Sequence, residues 1–109
     1  MTPLDSPAAF DAYIAGPGPA WVLKHSRVCP VSTAGKDEVH DYEGAHPGER
    51  VGIVVVQDRR PVSDHIAAAL RVRHETPQAF LFTAGVLRWH ASHGGITREA
   101  MEAALAGTR

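Results

Sequence analysis

The sequence predicts an α/β fold: a four-stranded mixed sheet, two strands parallel and two forming an antiparallel hairpin, flanked by helices with one extra helix in front. Three observations carry this expectation. Val51 to Val56 is a nearly unbroken apolar run, the pattern of a strand covered on both faces. Helix-period segments opened by Pro30 and Pro61 lie before and after that run. Proline suits a first helical position, where its missing N–H has no partner to lose. Near the C-terminus, Ala79 to Thr83 and Val86 to Ala91 are apolar stretches split by Ala84-Gly85, a hairpin signal.

Taken in order, Ser6-Pro7 reads as N-cap and first residue of a helix with Phe10, Tyr13 and Ile14 on one face, stopped at Gly16. Gly16-Pro17-Gly18-Pro19 is then a tight connection within one domain. Ala20 to Leu23 is strand-like and apolar, and Lys24 to Val28 reads as a short polar turn. The helix opened by Pro30 carries Val31, Ala34, Gly35, Val39 and Tyr42 at helical spacing and should end at Gly44. Pro47-Gly48 marks a loop before the Val51–Val56 strand. The next helix, from about Pro61 to Arg71, turns Val62, Ile66, Ala69 and Leu70 inward. A last helix starts near Thr97, buries Met101, Ala104 and Leu105, and ends before Gly107. The order α-β-α-β-α-β-β-α, with right-handed crossovers between the parallel strands, is the thioredoxin-like arrangement preceded by one helix. That arrangement puts a reactive cysteine after the first core strand, where Cys29 falls, and a cis proline before the third, where Thr76-Pro77 stands.

At 109 residues the chain is one domain, residues 1–109, large enough for a core without disulfide staples. Hydrophobic content of 44% and charged content of 21% describe a soluble globular protein. A formal net charge of −1 gives no footprint for nucleic acid, and no stretch resembles a signal peptide or a membrane span. One cysteine excludes a disulfide scaffold and fits a reducing cytoplasm.

Cys29 is the chemical centre of this reading. Just before Pro30 it occupies a helix N-terminus, where unpaired N–H groups and the positive end of the helix dipole favour a thiolate. Lys24, His25 and Arg27 add positive charge nearby. An unperturbed thiol near pKa 8.5 is only about 3% ionised at pH 7, and lowering it to roughly 6.5 makes the thiolate the majority form. In Cys29-Pro30-Val31-Ser32 a serine holds the place a second cysteine would take, so the chain cannot close a disulfide on itself. Any redox cycle must pass through a mixed disulfide with another molecule.

Five blocks recur in register: Lys24-His25-Ser26, Cys29-Pro30-Val31-Ser32, Arg60-Pro61-Val62-Ser63, His74-Glu75-Thr76-Pro77-Gln78 and Trp89-His90-Ala91-Ser92-His93. Together they resemble the monothiol bacilliredoxin family, thioredoxin-like proteins of the bacillithiol system, over roughly residues 20 to 105. The resemblance implies removal of bacillithiol from S-bacillithiolated proteins, with Cys29 as nucleophile and bacillithiol as a thiol co-substrate rather than a resident cofactor. It implies bacillithiolated proteins, bacillithiol and a dedicated bacilliredoxin reductase as partners, with no nucleic acid and no membrane. Lys24, Arg27, Thr76, Pro77, Gly94 and Gly95 are the expected substrate-binding positions, and His25, Pro30 and Ser32 tune the sulfur. The Thr76 backbone would pair strand-fashion with a ligand, and Gly94-Gly95-Ile96-Thr97 resembles the glutaredoxin loop that holds a ligand carboxylate. Bacillithiol's malyl group carries two such carboxylates.

Other readings are open at this level. His90 and His93 with Cys29 suggest zinc, although residues three apart on a strand point to opposite faces. An iron–sulfur cluster shared through Cys29 and a thiol is an analogy with monothiol glutaredoxins. A Cys–His hydrolase would need an oriented base and an oxyanion hole that the sequence does not supply. A thioredoxin-like binding or scaffold module with a non-catalytic cysteine is the alternative from a different functional class.

Overall fold

The computed structural model describes residues 1–108. Its elements are β1 (Thr2–Pro3), α1 (Pro7–Ala15), β2 (Pro19–His25), α2 (Pro30–Ala45), β3 (Arg50–Val55), α3 (Arg60–Leu70), β4 (Gln78–Thr83), β5 (Val86–Ser92), a 3-10 turn at His93–Gly95, and α4 (Arg98–Gly107). The sheet runs β1-β3-β2-β4-β5, with β1, β3 and β2 parallel and β4 and β5 antiparallel to their neighbours.

Helix starts follow the sequence closely. Ser6 Oγ accepts from Ala9 N–H at 3.0 Å, and Thr97 Oγ1 accepts from Ala100 N–H at 3.0 Å. Three helix ends differ. Gly44 does not stop α2, which continues to Ala45, α3 ends at Leu70 with Arg71 in the left-handed region at φ 53°, and α4 runs through Gly107 rather than ending before it.

The sheet has five strands rather than the expected four. β1 is a two-residue edge strand, too short to carry a period-two signal, and its Pro3 is tolerated because an edge strand can spare an N–H. The following Leu4 donates its N–H to Ile53 O at 3.0 Å and seals the edge of the core. Gly52 makes that possible, since a Cβ there would stand 2.8 Å from Leu4 Cδ1.

A second difference bears on the site. β2 does not end at Leu23 but continues through Lys24 and His25, both buried. Lys24 is paired with Val54 on one side and Gln78 on the other, and His25 with Val55. Backbone pairing on both flanks of a central strand outweighs the polarity of its last side chains. The turn before Cys29 shrinks accordingly to Ser26–Val28.

Both sheet faces are covered. Ala20 and Val22 point to the layer formed with α1 and α3, packing with Phe10, Val62, Ile66, Phe80 and Phe82. Trp21 and Leu23 point to the α2 and α4 layer with Val39, Tyr42, Leu81, Met101 and Leu105. Trp21 Nε1–H and Tyr42 O–H both donate to Glu49 Oε1, at 3.0 and 2.8 Å, which satisfies the polar ends of two large buried rings.

Candidate active site

Cys29 is the N-cap of α2, with extended backbone (φ −108°, ψ 119°) and Pro30 as the first helical residue. Its side chain is half-buried and unpaired. The thiol pKa is lowered chiefly by the Ser32 backbone N–H, with smaller help from the Val31 N–H and the Ser32 hydroxyl, against the opposing effect of partial burial. The orphan amides of the first turn thus stabilise the sulfur in its charged form. Ser32 is fully buried, and its Oγ makes no other hydrogen bond within the protein.

The three basic residues expected beside the sulfur separate. His25, at the end of β2 on the α2 side, has its pKa lowered by burial and then by Lys36, partly offset by the Ser32 backbone. It is therefore neutral at pH 7 and adds no charge to the site. Lys24 lies on the opposite face, with Ala20 and Val22. Its Nζ is 2.7 Å from His74 Nδ1 and 3.5 Å from Ser63 O, in the α3 layer rather than on the turn at the cysteine. Burial brings its pKa down to about 8. Of the three, only Arg27 is exposed, with its guanidinium paired to Asp58. Its N–H donates to Gln57 Oε1 at 3.2 Å, and Gln57 Nε2 donates to Ser26 Oγ at 2.7 Å, fastening the cysteine turn to the β3–α3 connection.

The Thr76–Pro77 peptide bond is cis. The Pro77 ring lies against α2 at Gly35, where a Cβ would come within 3.0 Å of Pro77 Cγ, so the missing side chain admits the proline wall to the cysteine helix. Pro77 O accepts from His93 N–H at 3.0 Å, which joins that wall to the exposed turn holding Gly94 and Gly95. The start of α4 differs from the expected carboxylate cradle. Glu38 Oε1, from α2, accepts the Arg98 N–H at 3.0 Å, and Thr97 Oγ1 holds the Ala100 N–H. A protein carboxylate thus takes the first amide of α4.

His90 is exposed and tilted against the Phe80 ring, and His93 begins the 3-10 turn. Among the described residues no three His, Cys, Asp or Glu side chains converge to hold a metal ion, and no helix is long and apolar enough to cross a membrane. Sequence reasoning assigned no role to His74 or Glu75, though both stand in one of the quoted blocks. Glu75 is held ionised chiefly by the Ser92 hydroxyl, and His74 is the contact of the buried Lys24. No sequence spacing announces the His74–Lys24 pair, which the α3–β4 connection alone creates.

A family model described as monothiol bacilliredoxin matches residues 2–101. The chain belongs to that family. A solved structure described as a candidate oxidoreductase with a thioredoxin fold is 33% identical, with a TM-score of 0.89, covering 94% of this chain and 91% of its own. Mitochondrial thioredoxin 3 from Saccharomyces cerevisiae is similar at 17% identity and a TM-score of 0.78, over 98% of this chain and 94% of that one. Fasciola hepatica thioredoxin matches at 14% identity and a TM-score of 0.79 over 100% of both chains. These two distant likenesses establish the thioredoxin fold, and the family supports a thiol redox role. In this bacilliredoxin the partly exposed sulfur at the α2 start, the proline wall packed on Gly35 and the 3-10 turn tied to Pro77 are the parts available for that chemistry.

Proposed function

We propose that this bacilliredoxin removes bacillithiol from S-bacillithiolated proteins by monothiol exchange at Cys29. The Cys29 thiolate attacks the bacillithiol sulfur of the mixed disulfide. A Cys29–bacillithiol S–S bond forms, the protein–bacillithiol S–S bond breaks, and the protein leaves as a thiolate that takes a proton from water. A second bacillithiol thiolate then attacks the adduct, giving bacillithiol disulfide and restoring the Cys29 thiolate. A dedicated reductase would return that disulfide to two thiols.

The observation that carries this reading is a partly exposed thiol, free of any disulfide, whose pKa is lowered by the Ser32 and Val31 backbone amides. Ser32, in place of a second cysteine, leaves capture and release to an external thiol. On this reading the Thr76 backbone pairs with the incoming ligand, Pro77 shapes the wall facing the sulfur, and Gly94 and Gly95 give the ligand room. Arg27 would guide anionic substrates from the rim. Bacillithiol enters as co-substrate.

The test is to incubate a bacillithiolated protein with wild type and with Cys29→Ala and to weigh every species by mass spectrometry. Transfer of the adduct to Cys29, absent in the variant, is expected. Equal, slow loss in both samples would instead mark a thioredoxin-like module whose cysteine does not turn over.

A further inference from the structure

The end of β3 and the first turns of α3 enclose a recess of about 150 Å³, lined by Val56, Gln57, Arg60, Ser63, Asp64 and His74. It lies beside the cysteine turn, because Gln57 is the residue that holds Ser26 and Arg27. At about 30 Å³ per water molecule, it has room for a few waters or for one small polar group.

Behind His74 lies Lys24, with no exposed surface. An ammonium has three donors, and the contacts here are His74 Nδ1 at 2.7 Å and a long approach to Ser63 O at 3.5 Å. Asp64 acts on it only from a distance, and among the described residues Lys24 forms no ion pair. A buried cation without a counter-ion is costly. Across the ladder, the buried Gln78 donates to Arg73 O but leaves its own Oε1 without a partner. Arg60 supplies a second, exposed cation on the rim, also outside the ion pairs of the described residues. The start of α4, by contrast, already holds the Glu38 carboxylate.

The geometry points to an oxyanion subsite in this recess, taking one carboxylate or phosphate group between Arg60, Ser63 Oγ and His74, with Lys24 behind. The anion would accept from Arg60 and Ser63 and from the Nε2–H of a neutral His74, whose Nδ1 faces Lys24 at 2.7 Å and Ser63 Oγ at 3.4 Å. The acidic groups acting on His74 are Asp64 and Glu75, and the basic ones are Lys24 and Arg60. An added anion would raise the pKa of His74, which burial and then Lys24 now hold below its ordinary value. Binding of a free anion does not depend on the exchange reaction. Only the identification of that anion with a carboxylate of bacillithiol rests on the proposed function.

The test uses the full chain carrying Cys29→Ser, so that no exchange occurs, with NMR of the histidine rings and backbone amides. Sodium phosphate and sodium malate are titrated against sodium chloride at matched ionic strength. We expect a saturable shift at His74 and Ser63 with a dissociation constant on the order of 1 mM, an upward move of the His74 pKa, and no such response to chloride. Arg60→Gln, at an exposed position, should weaken binding about 10-fold, and Lys24→Met should do so at least as strongly in a protein shown to be folded. No saturable shift, or one that chloride reproduces, overturns the subsite. So does binding unchanged in Arg60→Gln and in folded Lys24→Met. S-methyl bacillithiol supplies the second arm. Tighter binding than malate, lost in Arg60→Gln, ties the recess to the thiol, whereas binding no tighter than malate assigns it to free anions. Anion binding that persists while adduct transfer fails leaves the subsite standing and sinks the exchange reading alone.

Discussion

Replacing Lys24 by methionine should stabilise the protein at neutral pH, and the gain should disappear as the pH rises. In the folded chain the Lys24 pKa is about 8 against an ordinary 10.5, with burial as the main cause. At 1.36 kcal/mol per pH unit, that difference corresponds to roughly 3 kcal/mol by which folding disfavours the charged side chain at pH 7. The folded pKa lies below the unfolded one, so between these values the unfolded chain binds the extra proton and stability rises with pH. The penalty is complete below pH 8 and relieved above about 10.5. Methionine fills a similar volume without charge, at the loss of the contacts to His74 and Ser63 O, worth about 0.5–1.5 kcal/mol each way of counting. His74 is exposed, so water can satisfy the nitrogen left behind. The net expectation is a gain of roughly 1–2 kcal/mol at pH 7 that shrinks to zero or below by pH 10.5. Urea unfolding of both proteins at pH 7 and at pH 10.5, with equal m-values, measures it. A variant less stable at pH 7, or a difference independent of pH, would refute the reasoning.

Alkylation of Cys29 by iodoacetamide, followed against pH, should inflect below the ordinary thiol value of about 8.5. Because the largest contribution comes from the Ser32 backbone, Ser32→Ala should move that inflection upward only slightly; an inflection at or above 8.5 in wild type would remove the thiolate from the mechanism. Gly35→Ala gains about 1 kcal/mol of helix propensity but drives a methyl into the Pro77 ring, an overpacking cost of about 1–3 kcal/mol. The expected result is a loss of roughly 0–2 kcal/mol in thermal or urea unfolding together with slower exchange at Cys29, and a variant more stable than wild type with unchanged exchange would show that the proline wall has slack.

The parts of the fold that were legible are those set by local chemistry. Pro30 and Pro61 announce helix starts because a missing N–H matters least there, and the Val51–Val56 run announces a doubly covered strand. Cys29 was readable for the same reason, since helix position and a following proline are both written in adjacent residues. What escaped depends on partners far away in sequence. β1 exists only because β3 offers it an edge, and Lys24 and His25 are strand residues only because Val54, Val55 and Gln78 pair with them. Neighbouring charges therefore looked like one basic cluster, whereas the strand's alternation sends Lys24 and His25 to opposite layers. Glu38 reaching the Arg98 N–H joins two helices, and no pattern within either one signals it.

β2 is the middle strand of the sheet, clasped by β3 and β4 as far as Lys24, with His25 O still accepting from Val56 N–H. Its amides should be among the slowest in the molecule to exchange with solvent, almost up to the nucleophile itself. The attacking atom thus sits one short turn beyond the stiffest part of the frame. During disulfide attack the three sulfurs must come into line, and it is the visiting molecule that has to swing into place.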